Sequence, residues 1–333
     1  MNWGVIGSGR IVESLMNAFV ESAQEGDAIK AISSRTKDSP RIKFLMEKYN
    51  IPYAYDNIDE MCKNDEFDFM YIASPNGLHY PHSKQVLLNG KNVICEKPFT
   101  STLAQARDLF QTAKEKNLMI FEAIANIQKP NYHFIRDKLE AIAPIRIVQM
   151  NNSQYSSKYD NFKAGAVPTP NVFNPEMGGG ALYDLGIYNL HFVIGLFGVP
   201  QEYKYFATRQ INGIDTSGVL VMRYDGFLCS LIASKETRND AADYIQGEKG
   251  FIKSIGGGGG LREVYLEMYS GEKETVNLHT CKAGHFHEIA EFNRISREKD
   301  WDAYEKLVAH SLTVIEMAEK IRKDAGIVFA ADK

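Results

Sequence analysis

The chain is poor in cysteine, in tryptophan and in unbroken apolar sequence. Its 333 residues include four cysteines and two tryptophans. Cys62, Cys95, Cys229 and Cys281 lie far apart. They show neither the C-x-x-C spacing of a metal or redox site nor a disulfide-like pattern, so each thiol is read as a small core residue in a reducing compartment. No apolar stretch approaches the roughly 20 residues that cross a bilayer. The first residues enter a strand pattern at once, without a basic segment and an apolar leader. No secretory signal and a cytoplasmic location are therefore expected. Neither sign of charge is in excess: 38 Lys and Arg against 42 Asp and Glu leave a net charge of −4. That supplies no reason to expect nucleic acid or an anionic membrane as a partner. No internal repeat stands out.

What is present is an ordinary globular composition, 44% hydrophobic and 24% charged. The length exceeds what one core usually supports, which predicts two domains, at 1–122 and 123–333. In the first, apolar runs at 3–6, 28–33, 69–73, 92–95 and 118–122 alternate with amphipathic stretches near 11–22, 40–48, 57–63, 78–88 and 102–116. That rhythm predicts βαβ units and a doubly wound parallel sheet, an α/β fold covered on both faces. Ligands of such sheets sit beyond the carboxyl ends of the strands.

After residue 122 the rhythm changes. A helix at 132–139 and an extended run at 146–151 precede a helix near 181–196. Short alternating strands follow at 201–210, 217–224, 227–234, 243–247, 250–254 and 262–269, with closing helices at 285–297 and 303–324. Tyr224-Asp225-Gly226-Phe227 predicts a tight hairpin, since Asp-Gly supplies positive φ. Gly247 to Gly250 predicts a second. This half reads as an α+β domain on an open, mostly antiparallel sheet, with the last helices able to pack back on the first domain. Gly256–Gly260, five glycines in a row, reads as a flexible or sharply turning loop. No strand–turn–helix context or P-loop lysine makes it a phosphate cradle.

The first strand runs into Gly7-Ser8-Gly9-Arg10-Ile11-Val12. Gly7 allows the tight turn, and Gly9 lets a pyrophosphate approach the N–H groups and positive end of the helix that opens there. Val12 stands where the dinucleotide fingerprint usually has Gly or Ala. At the end of the second strand, Ser34 and Arg35 replace the acidic residue that would bind the ribose 2′-OH of NAD. A hydroxyl and a guanidinium fork suit a 2′-phosphate, so NADP(H) is favoured over NAD(H). Ser74-Pro75-Asn76 ends a later strand and His79 opens the next helix, in cofactor-adjacent positions. Then Cys95-Glu96-Lys97-Pro98 closes the strand at 92–95. The cofactor side therefore comprises Gly7, Gly9, Arg10, Ile11, Ser34, Arg35, Ser74, Pro75, Asn76, His79, Glu96 and Lys97.

A nucleotide cradle followed, several βα units on, by a lysine at a strand's carboxyl end implies a nicotinamide-dependent oxidoreductase. Hydride transfer leaves one proton to manage and oxyanion charge to stabilise, and Lys97 suits both needs. In the second half, Asp184, Tyr188 and His191 stand at i, i+4 and i+7 on one helix face. Three glycines before that helix would let a bound ring or cofactor approach the backbone. His79 and His82 could form a metal pair but have no third ligand near, and His285 and His287, two apart on a helix, do not converge, so no metal is expected. Gln154 to Asp160 is a polar stretch rich in hydroxyls, equally an exposed loop or a sugar-contacting segment.

In this order, the G-x-G turn, Ser34-Arg35, the Ser-Pro-Asn-x-x-His run ending at His79 and Glu96-Lys97-Pro98 resemble the Gfo/Idh/MocA family. That family contains glucose–fructose oxidoreductase, inositol dehydrogenase and the dihydrodiol dehydrogenases. The resemblance continues at Asn174-Pro175-Glu176 and along Gly178-Gly179-Gly180-Ala181-Leu182-Tyr183-Asp184-Leu185-Gly186-Ile187-Tyr188, and so covers most of the chain. It implies an N-terminal Rossmann domain, a C-terminal sheet that makes a homodimer or homotetramer, and a sugar, polyol or related hydroxy compound as substrate. It points the face bearing Asp184, Tyr188 and His191 at nicotinamide and substrate, with His191 equally a substrate contact or a satisfied buried histidine, and adds Glu122 and Asn126 to the substrate side. Many members carry His where this chain has Tyr188. A phenol near an ammonium still gives up its proton readily, so Lys97 and Tyr188 are the expected proton-handling pair, with Asp184 holding a substrate hydroxyl or Lys97. Ile124, Ala125 and Asn126 lack the Trp and Arg common in dihydrodiol dehydrogenases, which weakens an aromatic-diol assignment. Two other readings share the fold: a non-catalytic NAD(P)-sensing protein, which usually loses the lysine, and an NAD-assisted glycosidase.

Overall fold

The computed structural model describes residues 1–240 and 242–333. They form two compact units, Met1–Ala123 with Cys281–Leu312, and Ile124–Thr280 with Thr313–Lys333.

The first unit holds β1 (Asn2–Ile6), α1 (Arg10–Ser22), β2 (Ala28–Ser33), α2 (Pro40–Tyr49), β3 (Tyr53–Tyr55), α3 (Ile58–Cys62), β4 (Phe69–Ile72), α4 (His79–Leu88), β5 (Asn92–Glu96), α5 (Leu103–Glu115) and β6 (Ile120–Ala123). The six strands are parallel, in the order β3-β2-β1-β4-β5-β6, the doubly wound order of dinucleotide-binding sheets. Their apolar runs are buried throughout because helices cover both faces; β4 has no exposed residue. Val12, the departure from the fingerprint, is fully buried in this core with Val5, Leu15 and Phe19. β3, Tyr53-Ala54-Tyr55, is too short and too exposed to announce itself, and it lies at the sheet edge. The late segment Cys281–Leu312 packs here too, with Phe292 stacked on Phe121 at 4.6 Å and Tyr304 meeting the same ring edge-on at 5.4 Å.

The second unit begins with α6 (Pro130–Ile142), β7 (Ile145–Ser153), α7 (Tyr159–Lys163) and α8 (Ile187–Phe197), followed by β8 (Glu202–Arg209), β9 (Asp215–Tyr224), β10 (Phe227–Ser234), β11 (Ala242–Gly247) and β12 (Gly250–Ile255). A short helical turn α9 (Gly257–Gly260), β13 (Glu263–Met268) and β14 (Lys273–Val276) complete the sheet region, before α10 (Phe286–Glu298) and α11 (Trp301–Asp324). The sheet order is β14-β13-β12-β11-β7-β10-β9-β8. Every neighbouring pair is antiparallel except β7 with β10. Both hairpins foreseen from glycine turns form, β9–β10 around Gly226 (φ 80°) and β11–β12. On one sheet face Val148, Leu220, Met222, Leu231 and Ile252 pack with Leu190, Phe192 and Val193 of α8; fully burying each such side chain contributes roughly 1.5–3 kcal/mol. The stretch Pro175–Phe197 is long and apolar enough to cross a membrane by composition, but 72% of its window is buried in the fold.

Candidate active site

In the first unit the β1–α1 turn is built as a dinucleotide cradle requires. Gly7 has φ 125°, and its N–H donates to the Ser33 carbonyl at 2.8 Å. A Cβ there would lie 2.4 Å from the Ala73 carbonyl oxygen, so only glycine fits. Gly9 is the N-cap of α1 and no side chain caps the helix, while a Cβ on Gly9 would meet nothing within 4 Å. The first-turn N–H groups are thus left to a ligand and the approach to them is open, which fits a bound pyrophosphate. Arg10 is exposed and Ile11 half-buried beside it. Ser8 and Ser34 bring their hydroxyl oxygens to 3.4 Å, joining the turn to the end of β2, where Arg35 is exposed.

Three turns at the carboxyl ends of β4, β5 and β6 are tied together by buried polar groups. His79 is buried, with Nδ1 2.8 Å from the Pro98 carbonyl and Nε2 2.9 Å from the Ser74 carbonyl. Burial holds its pKa below the ordinary histidine value. It therefore stitches the Ser74-Pro75-Asn76 turn to the Lys97-Pro98 turn and presents no ring nitrogen to a cofactor. Glu96 is likewise buried: its Oε1 accepts from the Tyr71 hydroxyl at 2.7 Å, and burial raises its pKa. Glu122 accepts from the Phe99 N–H at 3.2 Å. Of these two carboxylates, both expected as ligand contacts, Glu122 braces the turn that follows Lys97, and Glu96 is bonded back to β4. Lys97 itself is half-buried, and Ser74, Pro75 and Asn76 are half-buried beside the β4 end.

The second unit supplies the helix that bears Asp184 and Tyr188. It opens with a wide π turn over Leu182–Gly186 before α8, a feature frequent at functional sites. Asp215 holds its start, Oδ2 accepting from the Leu182 N–H at 2.7 Å and from the Tyr205 hydroxyl at 2.8 Å. The preceding glycines do not make room for a ligand. A Cβ on Gly180 would lie 2.1 Å from Asp215 Oδ1, and one on Gly179 2.7 Å from the Val172 backbone, so they make room for the chain itself. From Ala181 to Ile194 every residue is buried except Asp184 and Tyr188. His191, on the same helix face, is fully buried, one of the two places its sequence position allowed. Asn126 is fully buried as well; its Nδ2 donates to the Tyr188 and Gly258 carbonyls, each at 2.8 Å. Its role is to hold the backbone of Tyr188.

The sequence from residue 1 to 124 matches the model of an oxidoreductase family with an NAD-binding Rossmann fold, and residues 140–253 match the GFO/IDH/MocA C-terminal domain. The chain belongs to the Gfo/Idh/MocA oxidoreductase family. It is 31% identical over 333 residues to a scyllo-inositol 2-dehydrogenase (NADP(+)) of Bacillus subtilis (strain 168), covering 100% of this chain and 99% of that one. It is 29% identical over 258 residues to a trans-1,2-dihydrobenzene-1,2-diol dehydrogenase of Xenopus tropicalis, covering 75% of this chain and 74% of that one. Among solved structures, a levoglucosan dehydrogenase with NADH and levoglucosan superposes with a TM-score of 0.81 at 18% identity, covering 98% and 97% of the two chains. A 3-ketoreductase from Actinomadura kijaniata with NADP gives 0.78 at 19% identity, covering 97% of each; likeness at these identities concerns the fold.

Within this Gfo/Idh/MocA framework the structure adds a residue that sequence reading passed over. Lys235, directly after β10, forms an ion pair with Asp184. Its side chain is 3% exposed and that of Asp184 22%. The ammonium also lies 5.4 Å from the centroid of the Phe173 ring. Asp184 is thereby oriented from within its own unit. The polar stretch at 154–160 spends hydroxyls internally: Tyr155 donates to Asp160 and Tyr159 to Glu236, both at 2.7 Å. His285 turns to Glu288 at 2.6 Å while His287 faces Cys281 Sγ at 3.3 Å, so the two histidines diverge.

Proposed function

We propose that the protein is an NADP(H)-dependent dehydrogenase or reductase of a polyol or sugar-like hydroxy compound, with Lys97 and Tyr188 handling the proton. The observation that carries the reading is the helix from Ala181 to Ile194, where only Asp184 and Tyr188 escape burial. One acid and one phenol kept half-exposed on an otherwise buried helix are a hydroxyl-binding pair, and together they offer one acceptor and one donor-acceptor to a hydroxylated substrate. The full-length similarity to a scyllo-inositol dehydrogenase supports a cyclic polyol or sugar as the substrate class.

The N–H groups at the α1 terminus and the Gly7–Gly9 turn would hold the pyrophosphate, with Ser34 and Arg35 at the 2′-phosphate. Bound NADP(H) supplies the hydride acceptor or donor. What remains for the protein is the proton at the reacting oxygen. Tyr188 as its phenolate takes it from the carbinol in oxidation and as the phenol gives it to the oxygen in reduction, and the Lys97 ammonium stabilises oxyanion charge there. Asp184, fixed by Lys235, accepts from a neighbouring substrate hydroxyl. The discriminating experiment is fluorescence titration with NADPH and NADH, followed by turnover of inositols, aldoses and their ketones. Tighter NADPH binding with turnover of polyols or sugars supports the reading; cofactor binding without turnover of any of them contradicts it.

We further propose that the protein assembles as a homodimer or homotetramer through the outer face of the second unit's sheet. Ile147, Phe206, Val219, Val221 and Leu228 are exposed there, on adjacent strands in register, and a surface patch of this kind marks an association site. Light scattering of wild type and of Val221→Lys Leu228→Glu tests it: a monomeric wild type contradicts the assembly.

A further inference from the structure

The five consecutive glycines are not a spacer. Gly257–Gly260 form a helical turn whose carbonyls are taken up by buried donors. Asn126 Nδ2 donates to Gly258 at 2.8 Å, Lys129 Nζ to Gly259 at 2.8 Å and to Gly260 at 2.7 Å, and Asn131 Nδ2 to Leu261 at 2.7 Å. Asn126 and Asn131 are fully buried and Lys129 is 6% exposed. Withdrawing an ammonium from water is costly, and it is tolerated here because it meets the carbonyl end of a helical turn. The glycines are needed for close approach. A Cβ on Gly257 (φ 68°) would lie 2.9 Å from the Asn151 carbonyl, and one on Gly258 2.2 Å from Asn189 Oδ1. At Gly259 the Cβ position points at the ring of Tyr188, 3.5 Å from its Cγ and Cδ1.

We propose that this turn is a positioning device for Tyr188, with Lys129 as the residue that clamps it. The proposal rests on the proton role assigned above to Tyr188. The turn backs the base of the phenol ring while Asn126 binds both the turn and the Tyr188 carbonyl. One side chain thus fixes the two surfaces that decide where the hydroxyl points. A phenol with a ring face unsupported would sample several χ1 and χ2 settings, and loss of alignment of about 1 Å costs up to about 100-fold in rate.

The test is a double-mutant cycle on kcat, with NADPH affinity measured alongside. Gly259→Val extends a side chain from a position already in van der Waals contact with the ring and must displace it. Gly260→Val adds the same group where a Cβ meets nothing within 4 Å. Lys129→Met leaves every glycine in place but removes the clamp, and Lys129→Arg restores the charge. The expected result is a loss of kcat of about 10- to 100-fold in Gly259→Val and Lys129→Met. NADPH affinity should stay unchanged, the loss should be smaller in Gly260→Val, and Lys129→Arg should recover part of it. In a Tyr188→Phe background, Gly259→Val and Lys129→Met should cost nothing more. Equal loss in Gly259→Val and Gly260→Val, or losses that multiply with Tyr188→Phe, overturn the positioning role alone. Wild-type turnover in Tyr188→Phe by itself overturns the proton role, and this proposal with it.

Discussion

Lys235 holds Asp184 in an ion pair whose cation is buried and whose carboxylate still reaches solvent, 3% against 22% exposed. The asymmetry fits a carboxylate that is oriented from behind and used in front. Lys235→Met keeps the apolar stem over Phe173 and deletes the charge. Removing one partner of a buried pair costs 3–5 kcal/mol, but the exposed side of Asp184 recovers solvation, so a stability loss of about 1–3 kcal/mol is expected. KM for the hydroxylated substrate should rise while NADPH affinity stays constant. Thermal denaturation and steady-state kinetics check both.

Gly7 and Gly9 are glycines for different reasons and their alanine variants should fail differently. Gly7→Ala forces positive φ on a residue with a Cβ and drives it into the Ala73 carbonyl. A destabilisation of about 3 kcal/mol or more is expected from strain and overpacking together. Gly9→Ala meets no protein atom. It should leave the melting temperature of the cofactor-free protein alone and weaken NADPH binding by about tenfold, the effect of 1.4 kcal/mol. A Gly9→Ala protein that binds NADPH like wild type would show that the pyrophosphate does not sit at this helix end.

Arg35 is exposed at the end of β2. A charge-assisted bond to a 2′-phosphate contributes about 1.5–3 kcal/mol, so Arg35→Ala should reduce the NADPH-over-NADH preference by about 10- to 100-fold. The ratio of the two kcat/KM values reads this directly. An unchanged ratio would assign Arg35 to the adenine or to solvent.

Asp243 in β11 is almost completely buried, and burial raises its pKa to about 7. Its Oδ1 accepts from the Asn151 N–H at 2.9 Å. In the unfolded chain the group titrates near 3.9, so the folded state binds the proton more tightly. Its contribution to stability is present below about pH 4 and is lost as pH rises to about 7. Asp243→Asn should therefore stabilise the protein by an amount that grows across that window and levels off above it, on the order of 2–4 kcal/mol. Melting temperatures of the two proteins from pH 4 to 9 give the curve; parallel profiles would mean Asp243 titrates normally.

The alternation of apolar runs and amphipathic stretches made most of the first unit's sheet legible, because strands covered on both faces must be apolar throughout. β3 and β14 were not legible: both are short edge strands with mostly exposed or half-buried residues. Among the candidate site residues, Gly7, Lys97 and Tyr188 stood in recognisable motifs. Lys235 did not, because its partner lies 51 residues away in sequence and only the fold joins them. The glycines at 179 and 180 misled for a related reason. A glycine that admits a ligand and one that admits the chain's own Asp215 are the same letter, and only the neighbours distinguish Gly9 from Gly180. Glu96, Glu122, His79 and Asn126 were found in the motifs at the strand ends, but their burial and their bonds within the protein were not legible, since only the fold shows which polar groups meet a backbone.

The most direct test of the central claim is single-turnover hydride transfer, followed by nicotinamide absorbance, in Lys97→Ala and Tyr188→Phe loaded with NADPH or its oxidised form. Proton transfer by a positioned group contributes about 10²- to 10⁴-fold. At saturating cofactor each variant should therefore lose hydride-transfer rate by that order. Wild-type rates in both variants would contradict the account.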